Sequence, residues 1–138
     1  MASADEIRTS IEEGRAELKA ALEAADTAKW ETVGTGNEEW SPRQIAEHTI
    51  GAEAAIAGGI AAAMMGKAPE RKELALANPA EAMAALEAAV EDVNKVLRYV
   101  EDRDLEKAVG ENGGTIGSMM GILASHAVDH ANEIKASA

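Results

Sequence analysis

The sequence predicts an all-α protein, and the expected architecture is an antiparallel four-helix bundle. Alanine is the most frequent apolar residue, Phe is absent, and aromatic residues make up only 2% of the chain. Ala, Glu, Leu, Met and Lys are strong helix formers, whereas the residues that fill strands are sparse here. Apolar residues also recur at helical spacing in four segments that Gly, Pro and Asn separate. The length of 138 residues predicts one domain, residues 1–138.

The first predicted helix begins at Ser3 and runs to about Asp26. The Ser3 hydroxyl can cap free backbone N–H groups, and Glu6, three residues on, completes a capping box. Charged residues cover this helix outside one apolar stripe, which comprises Ile7, Ile11, Leu18 and Leu22. The stretch Thr27–Trp40 contains glycines and no period, so we expect a long loop of the kind that often lines a site.

The second predicted helix has the clearest start. The run Ser41-Pro42-Arg43-Gln44 places a cap, a proline at the first helical position and a glutamine at the third. The helix should extend to about Met65, and a charged connection, Lys67–Ala77, follows it. The residues on its predicted inner face are Ile45, His48, Thr49, Ala52, Ile56 and Ile60.

The third and fourth predicted helices have similar signals. Asn78 caps the third helix and Pro79 occupies its first position. A polar segment with several glycines leads to Thr115, which we expect to cap the fourth helix. The apolar stripe of the fourth helix comprises Ile116, Met119, Met120, Leu123, His126, Ala127, His130 and Ile134. Four such helices can hide their stripes in one shared core, which favours the bundle.

Charge and composition argue against several classes of partner. Asp and Glu number 25 against 13 Lys and Arg, a formal net charge of -12, so we expect binding neither to nucleic acid nor to a membrane. The chain has no cysteine, which excludes a disulfide, a thiolate zinc site and a cysteine nucleophile. The start MASADEIRTS is acidic, with no apolar stretch behind it, so we expect no secretory signal and a cytoplasmic protein.

The three histidines are the most informative residues, because all of them fall on predicted core-facing stripes. His126 and His130 lie four residues apart, so they differ by about 40° in direction and about 6 Å in rise, and both can reach one ion. His48 lies near the start of the second helix, which in an antiparallel bundle can be level with the end of the fourth. Three neutral imidazoles converging there would hold divalent Zn, Ni or Fe and leave positions for water or substrate.

Other interpretations of these residues stay open. A single histidine on an apolar face is usually a core residue with its hydrogen bonds satisfied, but three polar rings in one core need a shared partner. Glu47, Asp129 and Glu133 are candidates to orient the ligands, and each is also typical of a solvated helix surface. Trp30 and Trp40 either roof the site from the first loop or cover the end of the bundle.

Two segments resemble the DinB-like (YfiT-type) family. The segment Trp40-Ser41-Pro42-Arg43-Gln44-Ile45-Ala46-Glu47-His48 resembles the start of that family's second helix, where a Trp and a Ser or Thr cap precede a metal-binding His. The segment Ser125-His126-Ala127-Val128-Asp129-His130-Ala131-Asn132-Glu133-Ile134 is similar to the family's closing helix with its H-x-x-x-H pair. The resemblance covers nearly the full chain in helix order and spacing. It implies an up-down-down-up four-helix bundle, often a homodimer, in which His48, His126 and His130 form a histidine triad that binds a divalent metal.

The resemblance also implies an activity. The family includes transferases and isomerases that use the low-molecular-weight thiols mycothiol, bacillithiol or glutathione with a small-molecule substrate. A divalent cation favours the deprotonated form of a bound thiol, and this thiolate would be the nucleophile that the cysteine-free chain lacks. Alternatively, a metal-dependent hydrolase would use activated water, with Glu47 or Asp129 relaying protons. Two non-catalytic alternatives remain, an ion that only joins two helices and an interaction bundle with core histidines. The alanine-rich core departs from the commoner family pattern, so the substrate does not carry over.

Overall fold

The structure is a computed structural model that describes residues 2–33, 40–111 and 114–136 of the chain. Within these ranges the helices are α1 (Ala4–Ala24), α2 (Pro42–Ala63), α3 (Pro79–Leu97) and α4 (Ile116–Ala136). They pack against one another as a bundle, which confirms the predicted all-α class. None of these helices is both long and apolar enough to cross a membrane.

The connections between helices contain only short regular elements in the described residues. Two strands, β1 (Ala108–Val109) and β2 (Gly114–Thr115), pair antiparallel just before α4, a detail that the helical pattern did not predict. Short 3-10 helices lie at Thr27–Lys29 and at Asp102–Asp104. The first of these belongs to the predicted loop, of which residues 34–39 lie outside the described part of the chain.

The helices begin at the caps that the sequence predicts. Ser3, Ser41 and Asn78 each accept a hydrogen bond from the backbone N–H three residues further on, and both serines complete capping boxes. Thr115 does the same for α4, since its Oγ1 accepts from the backbone N–H of Ser118 at 3.1 Å. Each such cap satisfies an otherwise unpaired N–H and contributes about 1 kcal/mol. These caps therefore place the helix starts locally, before any packing is considered.

Two apolar clusters show the direction of each helix. One cluster joins the last turns of α1 and α4 to the first turns of α2 and α3, and it contains Leu18, Leu22, Ile45, Ile50, Ala82, Leu86, Ala131 and Ile134. The other joins the opposite ends, and it contains Ala4, Ile11, Ala57, Ile60, Val93, Leu97, Ile116 and Met120. Helices α1 and α4 therefore run one way, and α2 and α3 run the other. This is the up-down-down-up arrangement.

Because α2 and α3 are parallel, the chain between them must travel back along the bundle. Residues 67–77, hereafter the connecting segment, contain no regular secondary structure. Helix α2 has 22 residues and is therefore about 33 Å long, a distance that the connecting segment can cover at about 3.3 Å per residue. Its end is held at Leu76, whose N–H donates to Glu47 Oε2 at 2.9 Å and whose carbonyl accepts from Trp30 Nε1 at 2.8 Å.

A buried ion pair links three of the helices, which departs from the expectation that charged residues cover the surface of α1 outside its apolar stripe. Arg15 and Glu53 are almost fully buried, with Arg15 Nη2 2.5 Å from Glu53 Oε1. Arg15 Nη1 also donates to Asn94 Oδ1 at 2.8 Å. Apolar periodicity could not reveal this pair, because a charge leaves water only with a partner, and that partner lies on another helix.

We predict that Gly14→Ala destabilises the protein. A Cβ at Gly14 would lie 2.7 Å from the backbone oxygen of Ala124, so α1 and α4 would have to move apart. Such overpacking costs about 1–3 kcal/mol of the free energy of unfolding. Urea unfolding followed by circular dichroism measures it.

Gly121→Ala is the matched control for this prediction. A Cβ there meets nothing within 4 Å, so the substitution should stabilise α4 by up to about 1 kcal/mol through helix propensity. Equal effects of the two substitutions would contradict the close approach of α1 and α4 at Gly14.

Candidate metal centre

Helices α2 and α4 bring the three histidines together. His126 and His130 occupy successive turns near the end of α4, and the antiparallel α2 presents His48 from its second turn at the same level. His126 Nε2 lies 3.2 Å from His48 Nε2 and 2.9 Å from His130 Nε2. The ligand atoms of the three residues all lie within 4.8 Å of one another, so the triad could hold a metal ion.

The donor set fits a divalent ion better than it fits hydrogen bonding among the rings. A neutral imidazole nitrogen either donates one hydrogen bond or accepts one. His126 Nε2 therefore cannot satisfy both of its neighbours at once, which leaves one close N···N contact unmatched. Zn–N bonds of about 2.0–2.1 Å in a tetrahedron place two nitrogens about 3.3 Å apart, close to the spacings observed. A cation accepts all three lone pairs simultaneously.

The triad lies at the edge of the core, not inside it. His126 and His130 are half-buried, but His48 is exposed, so the prediction that all three histidines face the core was wrong for His48. The buried position on that turn of α2 belongs to Thr49, whose hydroxyl donates to the Ile45 carbonyl at 2.6 Å. The triad is therefore open to solvent on the side of His48.

The surroundings keep His126 neutral at physiological pH. Its pKa is lowered from 6.5, first by burial and then by the neighbouring His130 and His48, while Asp129 and Glu133 oppose the shift. A neutral imidazole has a free lone pair for a metal. The same side chains that crowd His126 therefore prepare it for ligation.

Glu133 is the acid placed to orient a ligand. Its Oε1 lies 3.1 Å from His130 Nδ1, a buried atom that has no aligned hydrogen-bond partner. If Nδ1 carries the proton, the Nε2 lone pair is directed at the triad. Asp129, by contrast, is exposed and lines a groove between α1 and α4, and it affects His126 only through its charge.

Glu47 has a different set of contacts from the triad. Its Oε2 accepts from Arg43 Nε at 3.2 Å and from the Leu76 N–H at 2.9 Å. The residue therefore holds the end of the connecting segment against the start of α2. The two tryptophans that were candidates to cover the site lie in different places. Trp40 contacts the His48 ring edge-on, with the ring centroids 4.9 Å apart, whereas Trp30 is buried in the core.

A cavity of about 540 Å³ adjoins the triad. It lies between α2, α3 and the connecting segment, and His48 forms part of its wall. Small side chains line much of its helical wall, including Ala52, Ala55, Ala85, Ala88 and Ala89. The sequence carries a signal for this cavity in the alanines of both helices, but the parallel pairing that makes them face one space was not predicted from periodicity.

Comparison with known proteins yields one family. A family model described as the DinB superfamily matches residues 10–134, which include all four helices except for the first turns of α1 and the last two residues of α4. The comparisons with curated proteins and with solved structures gave no match. The family predicted from the segments around His48 and His126 is thus confirmed.

We predict that the metal-free protein loses stability as the pH falls below about 6.5. The unfolded chain keeps the ordinary histidine pKa of about 6.5, and the lowered pKa of His126 means that the fold binds protons less readily. Stability present above that pH is therefore lost on acidification. Urea unfolding of chelator-treated protein between about pH 7.5 and about pH 5.5, above the range where carboxylates titrate, measures the effect.

His126→Gln should flatten this pH dependence, and Lys29→Gln, at an exposed position that is not among the groups that shift the pKa of His126, should leave it as in the parent. An equally steep loss of stability in His126→Gln would contradict the role of His126.

Proposed function

The chain belongs to the DinB superfamily, and we propose that it is a metal-dependent enzyme that transfers or isomerises small molecules with the help of a low-molecular-weight thiol. The observation that carries this proposal is the convergence of three histidine Nε2 atoms beside a cavity. Three protein ligands leave at least one coordination position of a tetrahedral ion open, which is typical of catalytic sites and not of structural ones.

The thiol is part of the proposal because the family resemblance implies it. The chain itself has no cysteine, so the nucleophilic sulfur of such a reaction would come from outside. A divalent cation held by the triad would stabilise the deprotonated form of a thiol that approaches it. The exposed side of His48 provides the approach, Trp40 lies against one face of that entrance, and the adjoining cavity would position the second substrate.

The three donor atoms limit which divalent metals would suit the site. All three donors are imidazoles, which suit Zn, Ni and Fe and disfavour Mg and Ca, whose ligands are oxygens. A cytoplasmic location and a homodimeric state are part of the same proposal, and they are supported by the cysteine-free composition and by the family resemblance respectively.

A metal-dependent hydrolase is the second candidate, because an exposed triad also admits water. The acids proposed to relay protons are less well disposed for that role. Glu47 already accepts hydrogen bonds from Arg43 and from the backbone at Leu76, and Asp129 lines a different groove. We therefore favour the thiol-dependent reaction. A bundle in which the ion only joins α2 to α4 would show metal binding but no reaction.

We predict that tag-free protein contains near-stoichiometric Zn, Ni or Fe, and that the His126→Ala/His130→Ala double variant contains none while remaining helical. The variant loses two of three ligands, and a single imidazole does not retain an ion in water. Elemental analysis with circular dichroism measures both properties. Asn132→Ala, an exposed substitution on the same helix, is the control that should keep the metal.

Trace metal in both the parent and the double variant, after direct addition of metal to the purified proteins also fails, would contradict the site and leave the histidines as edge residues of the bundle.

We also predict that thiols bind at the metal. Cobalt-substituted protein should develop an ultraviolet sulfur-to-metal charge-transfer band on addition of bacillithiol, mycothiol or glutathione, and His48→Gln should weaken it. Turnover is then measured with the thiol that gives the band and a panel of small electrophiles. A metal-loaded protein with no band for any thiol, but with esterase or amidase activity, would favour the hydrolase instead.

A further inference from the structure

The cavity beside His48 continues into a second one. This second cavity, of about 980 Å³, lies between the last turns of α2 and α3 and the first half of the connecting segment. The two cavities share Pro69, Glu70, Lys72 and Asp92 in their walls, so they form one continuous α2–α3 groove beneath the segment. From the level of His48 to that of Ala61, thirteen residues along α2, the groove is about 20 Å long.

The far end of the α2–α3 groove is positively charged, although the chain as a whole carries a net charge of -12. Four cations face two carboxylates in its walls, namely Lys67, Lys72, Lys95 and Arg98 against Glu70 and Asp92. Lys95 lies 3.6 Å from Asp92, and the Arg98 guanidinium lies over the Tyr99 ring. A local excess of positive charge on an acidic protein attracts anions to that place.

Two of these cations form no ion pair with the described residues. Within the described residues, neither Lys67 nor Lys72 has a carboxylate within 4 Å. Two arginines of the neighbouring α1–α3 groove, which also includes Lys95 and Arg98 in its wall, differ in this respect. Arg8 there donates to the carbonyls of Leu97 and Val100, and Arg15 pairs with Glu53. Those arginines hold helices together, whereas the two lysines remain available to a ligand.

The helical wall of the cavity beside His48 is largely apolar and carries small side chains, whereas Glu70, Arg71 and Lys72 lie on the side of the connecting segment. Ala55, Ala88 and Ala89 contribute only methyl groups, and Ile50 and Val93 add larger apolar surface. Among the described residues no Phe, Tyr or Trp lines this first cavity, so an unbranched apolar chain can lie along it. Each methylene that such a chain buries contributes favourably to binding.

The roof of the groove is anchored at both ends. At the start, Met65 adopts a left-handed conformation with φ 57°, and the Gly66 N–H donates to the Ala61 carbonyl at 2.8 Å. At the other end, Leu76 is bonded to Glu47 and to Trp30. The connecting segment therefore spans the groove between two anchored ends.

We propose that the α2–α3 groove binds an elongated organic anion, a chain with an apolar middle and a terminal carboxylate or phosphate. The anionic end lies among Lys67, Lys72, Lys95 and Arg98, and the opposite end of the ligand reaches His48. Only the placement of a reactive end at His48 rests on the proposed function. The recognition of the charge and of the apolar chain rests on the groove itself.

Calorimetry with the full chain, metal-loaded and metal-free, tests this proposal. Octanoate and octyl phosphate should bind, dodecanoate should bind more tightly than octanoate, and octanol and butyrate should bind more weakly because each lacks one of the two features. Carboxylate and phosphate arms distinguish the two kinds of head group. Absence of binding by all the anions would overturn the proposal.

Two pairs of matched variants locate the ligand. Lys67→Gln/Lys72→Gln should weaken octanoate binding about three- to tenfold, whereas Lys29→Gln/Lys135→Gln, with the same change in net charge, should not. Ala88→Leu, which narrows the groove, should weaken dodecanoate binding, whereas Ala84→Leu, at an equally exposed position of the same helix outside the groove lining, should not. Equal effects within either pair would overturn the assignment to the groove.

The metal-free protein separates this proposal from the proposed function. Binding that persists without metal and depends on Lys67 and Lys72 supports the groove even if no thiol reaction exists. Binding that requires the metal and ignores the lysines would show that the anion ligates the ion, and the far-end site would then be wrong even if the enzyme is real.

Discussion

The connecting segment between α2 and α3 is the constraint on which the rest of the structure depends. A short turn after α2 would reverse the chain, and α3 would then run antiparallel to α2. Because residues 67–77 instead return along the bundle, α2 and α3 both start at the end where α1 and α4 finish. The start of α2 thus meets the end of α4, which brings His48 to His126 and His130. The same segment covers the space between the two parallel helices, so one length of chain creates both the register of the triad and the cavity beside it.

The small side chains of this protein have two opposite consequences. Between α1 and α4 they allow close contact, since Gly14 lies directly against the backbone at Ala124. Between α2 and α3 they leave space, because alanine methyls do not reach across to the partner helix and no Phe is available to fill the gap. Protein interiors are normally packed to high density, and an unfilled apolar space is costly unless it is open to solvent or a ligand. The alanine content is therefore both a means of packing one face of the bundle and the origin of a groove on another.

The features that the sequence predicts well are the local ones. Caps at Ser3, Ser41 and Asn78 depend on residues three apart, and the meeting of His126 with His130 depends on one helical turn. His48 was predicted as the third ligand because it is the one remaining histidine of the chain and lies near the start of a helix that can face that pair. The exposure of His48 was mispredicted, since one step around α2 separates it from the buried Thr49, and an apolar stripe does not resolve that difference.

Features that depend on partners distant in sequence were missed. The burial of Arg15 becomes favourable only when Glu53 and Asn94 arrive from two other helices, so no pattern within α1 could indicate it. The groove between α2 and α3 likewise needs the parallel pairing before its alanines face a common space. The role of Glu47 was assigned from its position next to His48, but its carboxylate turns towards Leu76 because a backbone N–H of the returning chain needs an acceptor there.

The arrangement of the triad also determines what a metal would do to the fold. His126 and His130 share one rigid helix, so their relative position is set by α4 alone, whereas His48 joins them only if α2 is docked. An ion bound by all three would therefore link α2 to α4 at the end of the bundle where the connecting segment finishes, and the free energy of binding would add to the stability of that docking. Glu47 immediately precedes His48 on the same turn of α2, and its carboxylate accepts the hydrogen bond from the Leu76 N–H. The same turn of α2 therefore holds the end of the connecting segment and supplies the third ligand of the metal site. The fold itself thus couples the metal site to the segment that covers the groove.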